Sequence, residues 1–200
     1  MLNVLHRRAI FLCATLLVSG NSFAQNDETI ETKVGQGQLI GILQVPSIQK
    51  DLRLTAEQVA KICEITRIPG AISFADAVAP LKTILTDEQL KEFKRNALPG
   101  LMVRAFTVSE VRETLELTQK QVNSIVEIQT KLKTQLQPFQ DKINQLGSPK
   151  NAEEAMQLER DTEQFHEDAY VEAFELLTDE QRKKWKEIAK PIPLRKKNGG

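Results

Sequence analysis

One five-residue pattern constrains this chain more than any other feature. Leu-Thr-x-x-Gln occurs at Leu54-Thr55-Ala56-Glu57-Gln58, Leu85-Thr86-Asp87-Glu88-Gln89, Leu117-Thr118-Gln119-Lys120-Gln121 and Leu177-Thr178-Asp179-Glu180-Gln181. The chemistry of the pattern is that of a helix start. A threonine at the N-cap accepts from the backbone N–H three residues on, and a glutamine there reaches back to the cap's own N–H. A leucine just before the cap can staple onto the fourth helical residue: Leu54 onto Val59, Leu85 onto Leu90, Leu117 onto Val122. The fourth occurrence departs, with Arg182 in the staple position. Three of the four also place Glu at the second helical position, where it favours the helix dipole.

The pattern lies inside a longer repeat. Leu52, Leu54, Thr55, Gln58, Val59, Ile62, Glu64 and Ile65 align without a gap on Leu115, Leu117, Thr118, Gln121, Val122, Ile125, Glu127 and Ile128. A second match sets Ile84 to Gln89, Phe93 and Lys94 against Leu176 to Gln181, Trp185 and Lys186. The first offset is 63 residues and the second 92, so the second copy holds 29 more residues between its motifs. An internal duplication with one insertion accounts for both. The expected fold is therefore all-α: two diverged copies of a helical unit, the second containing a long antiparallel hairpin.

The hairpin follows from periodicity. Val122, Ile125, Gln129, Leu132, Leu136, Phe139, Ile143 and Leu146 recur at spacings of three and four, and so do Ala155, Leu158, Thr162, Phe165, Ala169, Ala173 and Leu176. Gly147-Ser148-Pro149 joins them. Two such seams with a short turn pack antiparallel. Pro138 lies off the first seam and should kink it. In the first copy, Thr55 to Arg67, Phe74 to Ile84 and Thr86 to Asn96 read as shorter helices, with Pro99-Gly100 at the boundary between copies. No sustained apolar alternation marks a strand.

The ends read differently. Arg7 and Arg8, the apolar stretch Ala9 to Gly20 and the small residues of Ser22-Phe23-Ala24 make the three parts of a secretory signal peptide. Residues 25–36 read as a disordered leader, 37–98 as the first unit, 99–190 as the second, and 191–200 as a disordered tail with Arg195, Lys196 and Lys197. The expected location is periplasmic or secreted, after cleavage near Ala24. Cleavage there removes two arginines and no acid, leaving 25 bases against 27 acids. That balance is no footprint for nucleic acid. The apolar stretch is too short for an integral membrane anchor. Cys63 is the one cysteine of the mature chain, read as a small buried hydrophobe.

No coherent catalytic constellation is present: the mature chain has one Cys and one His, on separate units, and no phosphate loop or nucleophile elbow. The chain is read as a non-enzyme without a cofactor. Glu163 and His166 have the spacing of carboxylate-bridged metal helices, with Glu167 and Tyr170 nearby. The spacing occurs only once, so a metal role there is the weaker reading. From Lys150 to Glu175 there are nine acids against two bases, and residues 176–190 reverse the sign. Such stretches can pair within the fold or dock a partner.

A signal peptide, helical patterning and paired Leu-Thr-x-x-Gln motifs bracketing a long hairpin resemble the Spy/CpxP (LTXXQ-motif) proteins of the bacterial periplasm. The resemblance is best from Leu115 to Ile188, and Leu52 to Lys94 resembles a shortened unit. It implies an ATP-independent periplasmic chaperone or envelope-stress protein, with unfolded or envelope proteins as partners and a homodimer as its working state. The chain departs by carrying two units in tandem and by lacking His-rich stretches. Val126, Ile128, Met156, Val171 and Phe174, apolar and off the seams, are the candidate client surface. A structural or interaction protein of the cell envelope, and a weak divalent-metal-binding protein, are the alternatives.

Overall fold

The computed structural model describes residues 34–65, 71–146 and 152–192. The signal peptide, residues 25–33 of the leader, the end of the first long helix near Arg67, the Gly147-Ser148-Pro149 turn and the basic tail from Pro193 lie outside the described residues.

The described chain is all-helical apart from one two-residue antiparallel pair. Val34–Gly35 (β1) lies against Ala71–Ile72 (β2), with Val34 opposite Ile72. The helices are α1 (Gln36–Gly41), α2 (Pro46–Asp51), α3 (Ala56–Ile65), α4 (Phe74–Val78), α5 (Asp87–Ala97), α6 (Ser109–Leu115), α7 (Gln119–Leu146), α8 (Ala152–Glu175) and α9 (Asp179–Ile188). Three 3-10 segments join them: Ile42–Gln44, Ala79–Thr83 and Leu98–Thr107. The helix expected from Phe74 to Ile84 is thus α-helical only to Val78. Pro80 follows at once; lacking an N–H and clashing with the preceding turn, it favours the tighter 3-10 winding there.

The segment Leu98–Thr107 is the centre of the molecule. Leu98, Pro99, Leu101, Met102, Val103, Ala105, Phe106 and Thr107 are all buried in it. Met102 breaks the run with φ 52° and ψ −132°, which turns the chain within the core. Helices α5, α6, α7 and α8 pack around this segment. The sequence sets the boundary between the two copies at Pro99-Gly100, and here that junction is packed inside one core. A single apolar cluster joins Leu43, Phe74 and Phe93 from the first stretch to Phe106, Ile125 and Trp185 from the second.

Around Phe106 the packing is aromatic. Its ring centroid lies 4.8 Å from Trp185 and 5.8 Å from Tyr170. The indole N–H of Trp185 donates to the Tyr170 hydroxyl oxygen at 3.1 Å, so the buried indole donor is satisfied. This cluster ties α8 and α9 to the central segment.

Helix α7 runs unbroken through Pro138. It lies antiparallel to α8: Lys131 pairs with Glu172 at 3.2 Å, Phe139 with Phe165 at 5.6 Å between centroids, and Lys142 with Glu154 at 3.1 Å. Near the core the stripe is well covered, with Val122, Ile125, Ile128, Leu132, Ala169 and Ala173 buried. Leu176, placed on the seam by spacing, is instead 37% exposed. Helix α8 ends at Glu175, so Leu176 lies beyond the helical register that would bury it. No helix among the described residues is long and apolar enough to cross a membrane.

Candidate functional site

Each of the four motifs opens a helix with both reciprocal bonds of a capping box. The Thr55 N–H donates to Gln58 Oε1 at 3.0 Å and the Gln58 N–H to Thr55 Oγ1 at 3.2 Å. The same pair of bonds joins Thr86 and Gln89 at 3.0 and 3.2 Å, Thr118 and Gln121 at 3.0 and 3.3 Å, and Thr178 and Gln181 at 2.9 and 3.3 Å.

The glutamines do more than cap. Gln58 Nε2 donates to Gln89 Oε1 at 2.8 Å, and Gln89 Nε2 donates back to Gln58 Oε1 at 3.3 Å. Gln121 and Gln181 form the same reciprocal pair at 2.8 and 3.2 Å. The second N–H of each amide goes to a backbone carbonyl at the end of the segment before its partner. Gln58 reaches Ile84 at 2.8 Å and Gln121 reaches Leu176 at 2.9 Å. Gln89 reaches Leu52 at 3.1 Å and Arg53 at a long 3.4 Å, and Gln181 reaches Glu116 at 3.4 Å. Each amide thereby uses both of its N–H donors, and its oxygen accepts at least two bonds. The offsets of 63 and 92 align Gln58, Gln89, Ile84 and Arg53 of one clasp with Gln121, Gln181, Leu176 and Glu116 of the other.

Backbone geometry at the clasps repeats as well. Arg53 and Glu116, one offset apart, are two of the three non-glycine residues with positive φ among the described residues, at 51° and 52°. A left-handed residue stops α2 and α6 there and presents the carbonyl to the clasp glutamine. The sequence carries a signal for this pairing. A capping box accepts Glu as readily as Gln at its third position, yet all four positions hold Gln. Only the amide has N–H groups to donate onward.

Arg182, the residue that departs from the staple pattern, has its own task. Its guanidinium lies over the Phe174 ring at 5.5 Å and donates to the carbonyls of Phe174 at 3.4 Å and Glu175 at 3.1 Å. It closes the C-terminus of α8. The basic stretch around it pairs locally: Lys183 with Glu180 at 2.7 Å, Lys184 with Glu116 at 2.6 Å and Lys190 with Glu92 at 2.6 Å. Lys190 holds the Glu92 carboxyl below its ordinary pKa.

His166 is half-buried beside the central segment. Burial, and then the positive charge of Arg104, push its pKa down to about 4, so it is neutral across the physiological range. Arg104 is itself lowered by burial. A cation next to His166 disfavours a bound metal ion there. Among the described residues, no group of three or more His, Cys, Asp or Glu side chains is placed to hold one. Glu163 is half-buried on the same helix. Cys63 is half-buried and in no disulfide among the described residues, more open than expected of a core hydrophobe.

The five apolar residues named as a client surface divide. Ile128 is buried in the core, Val171 and Phe174 pack against it, Val126 is half-buried, and Met156 is 50% exposed. Ile128 goes inward because α7 at this level is faced by both α8 and the central segment, which widens its buried stripe.

Comparison with protein families, with curated proteins and with solved structures finds no match to this chain.

Proposed function

We propose that this chain is an exported helical binding protein, an ATP-independent chaperone or envelope-stress protein built from two diverged copies of one clasped helical unit. The observation that carries the reading is the arm formed by α7 and α8. From Lys133 on α7 to His166 on α8, no described side chain is buried, although both helices keep their apolar seams there. A holdase needs such a surface, apolar enough to attract an unfolded chain and open enough to release it. The repeated glutamine clasps support the duplicated unit, and the resemblance to the Spy/CpxP proteins supports the periplasmic setting.

The test is suppression of aggregation of a chemically unfolded client by the mature chain, without nucleotide. The expected outcome is reduced light scattering at about equimolar ratio. Scattering indistinguishable from that with an inert protein at the same concentration rejects the reading and favours a purely structural protein of the envelope.

A further inference from the structure

The far half of the arm offers a groove as well as an open seam. Its volume is about 610 Å³; Pro138, Phe139 and Lys142 of α7 and Glu153, Leu158 and Asp161 of α8 are among its lining, and Lys142 is paired with Glu154 at 3.1 Å. Met156, half exposed, lies on the same stretch of α8. Two helices can shield only part of each other's apolar stripe. Near the core the Leu98–Thr107 segment covers the remainder; at the far end nothing among the described residues does so. The helix that forms the groove's acidic wall is strongly one-signed. Residues 152–175 hold nine carboxylates and one arginine; that arginine, Arg160, also lines the groove and donates to Gln157 on its own helix at 2.8 Å.

We propose that this groove docks a cationic amphipathic polypeptide segment, its apolar side chains against Phe139 and Leu158 and its lysines or arginines along the carboxylates of α8. The inference rests on the client-binding reading and names the class of client. Charge complementarity selects this occupant. A second copy of the chain approaching through α8 would bring like charges together, and an anionic lipid surface or nucleic acid would meet the same repulsion.

The experiment uses the mature chain and two fluorescent peptides, one of lysine and leucine in helical spacing, the other with every lysine replaced by glutamate. The lysine peptide is expected to bind at least about tenfold more tightly, and to weaken severalfold on raising salt from about 0.05 to 0.5 M, where the screening length falls from near 14 Å to near 4 Å. The double variant E153K/D161K is expected to lose that preference while keeping the wild-type helical spectrum and urea midpoint. Equal binding of both peptides, or binding unchanged in the double variant, overturns the proposal. A mass that doubles with protein concentration and reverts in Leu158→Asp assigns the groove to a second copy and overturns it as well. The two readings fail separately. Absent aggregation suppression with intact, charge-selective peptide binding removes the chaperone and keeps the groove. Suppression that persists while the peptides bind equally removes the groove and keeps the chaperone.

Discussion

Gln121 and Gln181 stand 60 residues apart in the chain, yet each completes the other's hydrogen bonding. Removing one amide takes away a cap, a cross-bond and a carbonyl partner together, and leaves part-buried polar groups unmet. Gln181→Ala is therefore expected to destabilise the fold by about 1–3 kcal/mol, more than the roughly 1 kcal/mol of an ordinary cap. A double-mutant cycle with Gln121→Ala, read from urea midpoints, is expected to show a coupling of about 1 kcal/mol; purely additive effects would mean the two amides act only as independent caps. The caps themselves were legible in the sequence, because Thr and Gln three residues apart act through local geometry. The pairing left only one trace, Gln rather than Glu at all four positions, because it joins distant segments and rests on the difference between an amide and a carboxylate. His166 shows the same limit: its spacing to Glu163 is visible in the sequence, while its burial in the fold and the charge of Arg104, 62 residues away, which together hold it neutral, are not. Because its folded pKa of about 4 lies below the unfolded value near 6.5, the unfolded chain binds more protons between those two pH values. His166 thus favours the fold above pH 6.5, and that contribution is lost as pH falls toward 4, up to about 3 kcal/mol in all. His166→Gln is expected to flatten the urea midpoint across that window, and an unaltered pH profile would show that the imidazole is not held neutral.

At the scale of elements, periodicity decides what can be read in advance. The seams of α7 and α8 are long and regular, and the two helices lie antiparallel as the seams require. Residues 98–107 carry no period: apolar residues are nearly continuous, with Pro99 and Gly100 among them. Such a run reads as a boundary, yet it becomes the most buried segment because helices close on it from several sides. The ends of α2 and α6 were equally hidden, since Arg53 and Glu116 give no sequence hint of a left-handed conformation. L-residues with a Cβ pay roughly 1 kcal/mol or more for it. Arg53→Gly is therefore expected to raise the urea midpoint, by up to about 1 kcal/mol in stability. A fall in the midpoint would mean the arginine side chain contributes more than its backbone strain costs. Glu116 is the poorer site for this change, because Lys184 pairs with it at 2.6 Å and holds its carboxyl below the ordinary pKa.

The whole molecule is a body with an arm. The body shares one core across both halves, and among the described residues the arm leaves it without a buried side chain of its own. Stability should be distributed accordingly, since cooperative opening follows the density of buried contacts. Hydrogen exchange followed by mass spectrometry is expected to show amides of residues 135–142 and 153–164 exchanging well before those of α5 and the Leu98–Thr107 segment. Uniform protection along α7 and α8 would contradict this division, and a protection gained only with a cationic peptide would mark the arm as the part that orders on binding.

The clasps joining the motifs are made of neutral amides. A primary amide does not titrate in the range proteins meet, and dissolved ions do not weaken it as they weaken paired charges. A compartment open to the outside exposes its proteins to swings of acidity and salinity. In the exported setting proposed above, helix junctions fastened by glutamine keep their grip through such swings, while the charges of the arm respond to salt, so one molecule combines an indifferent frame with a sensitive surface.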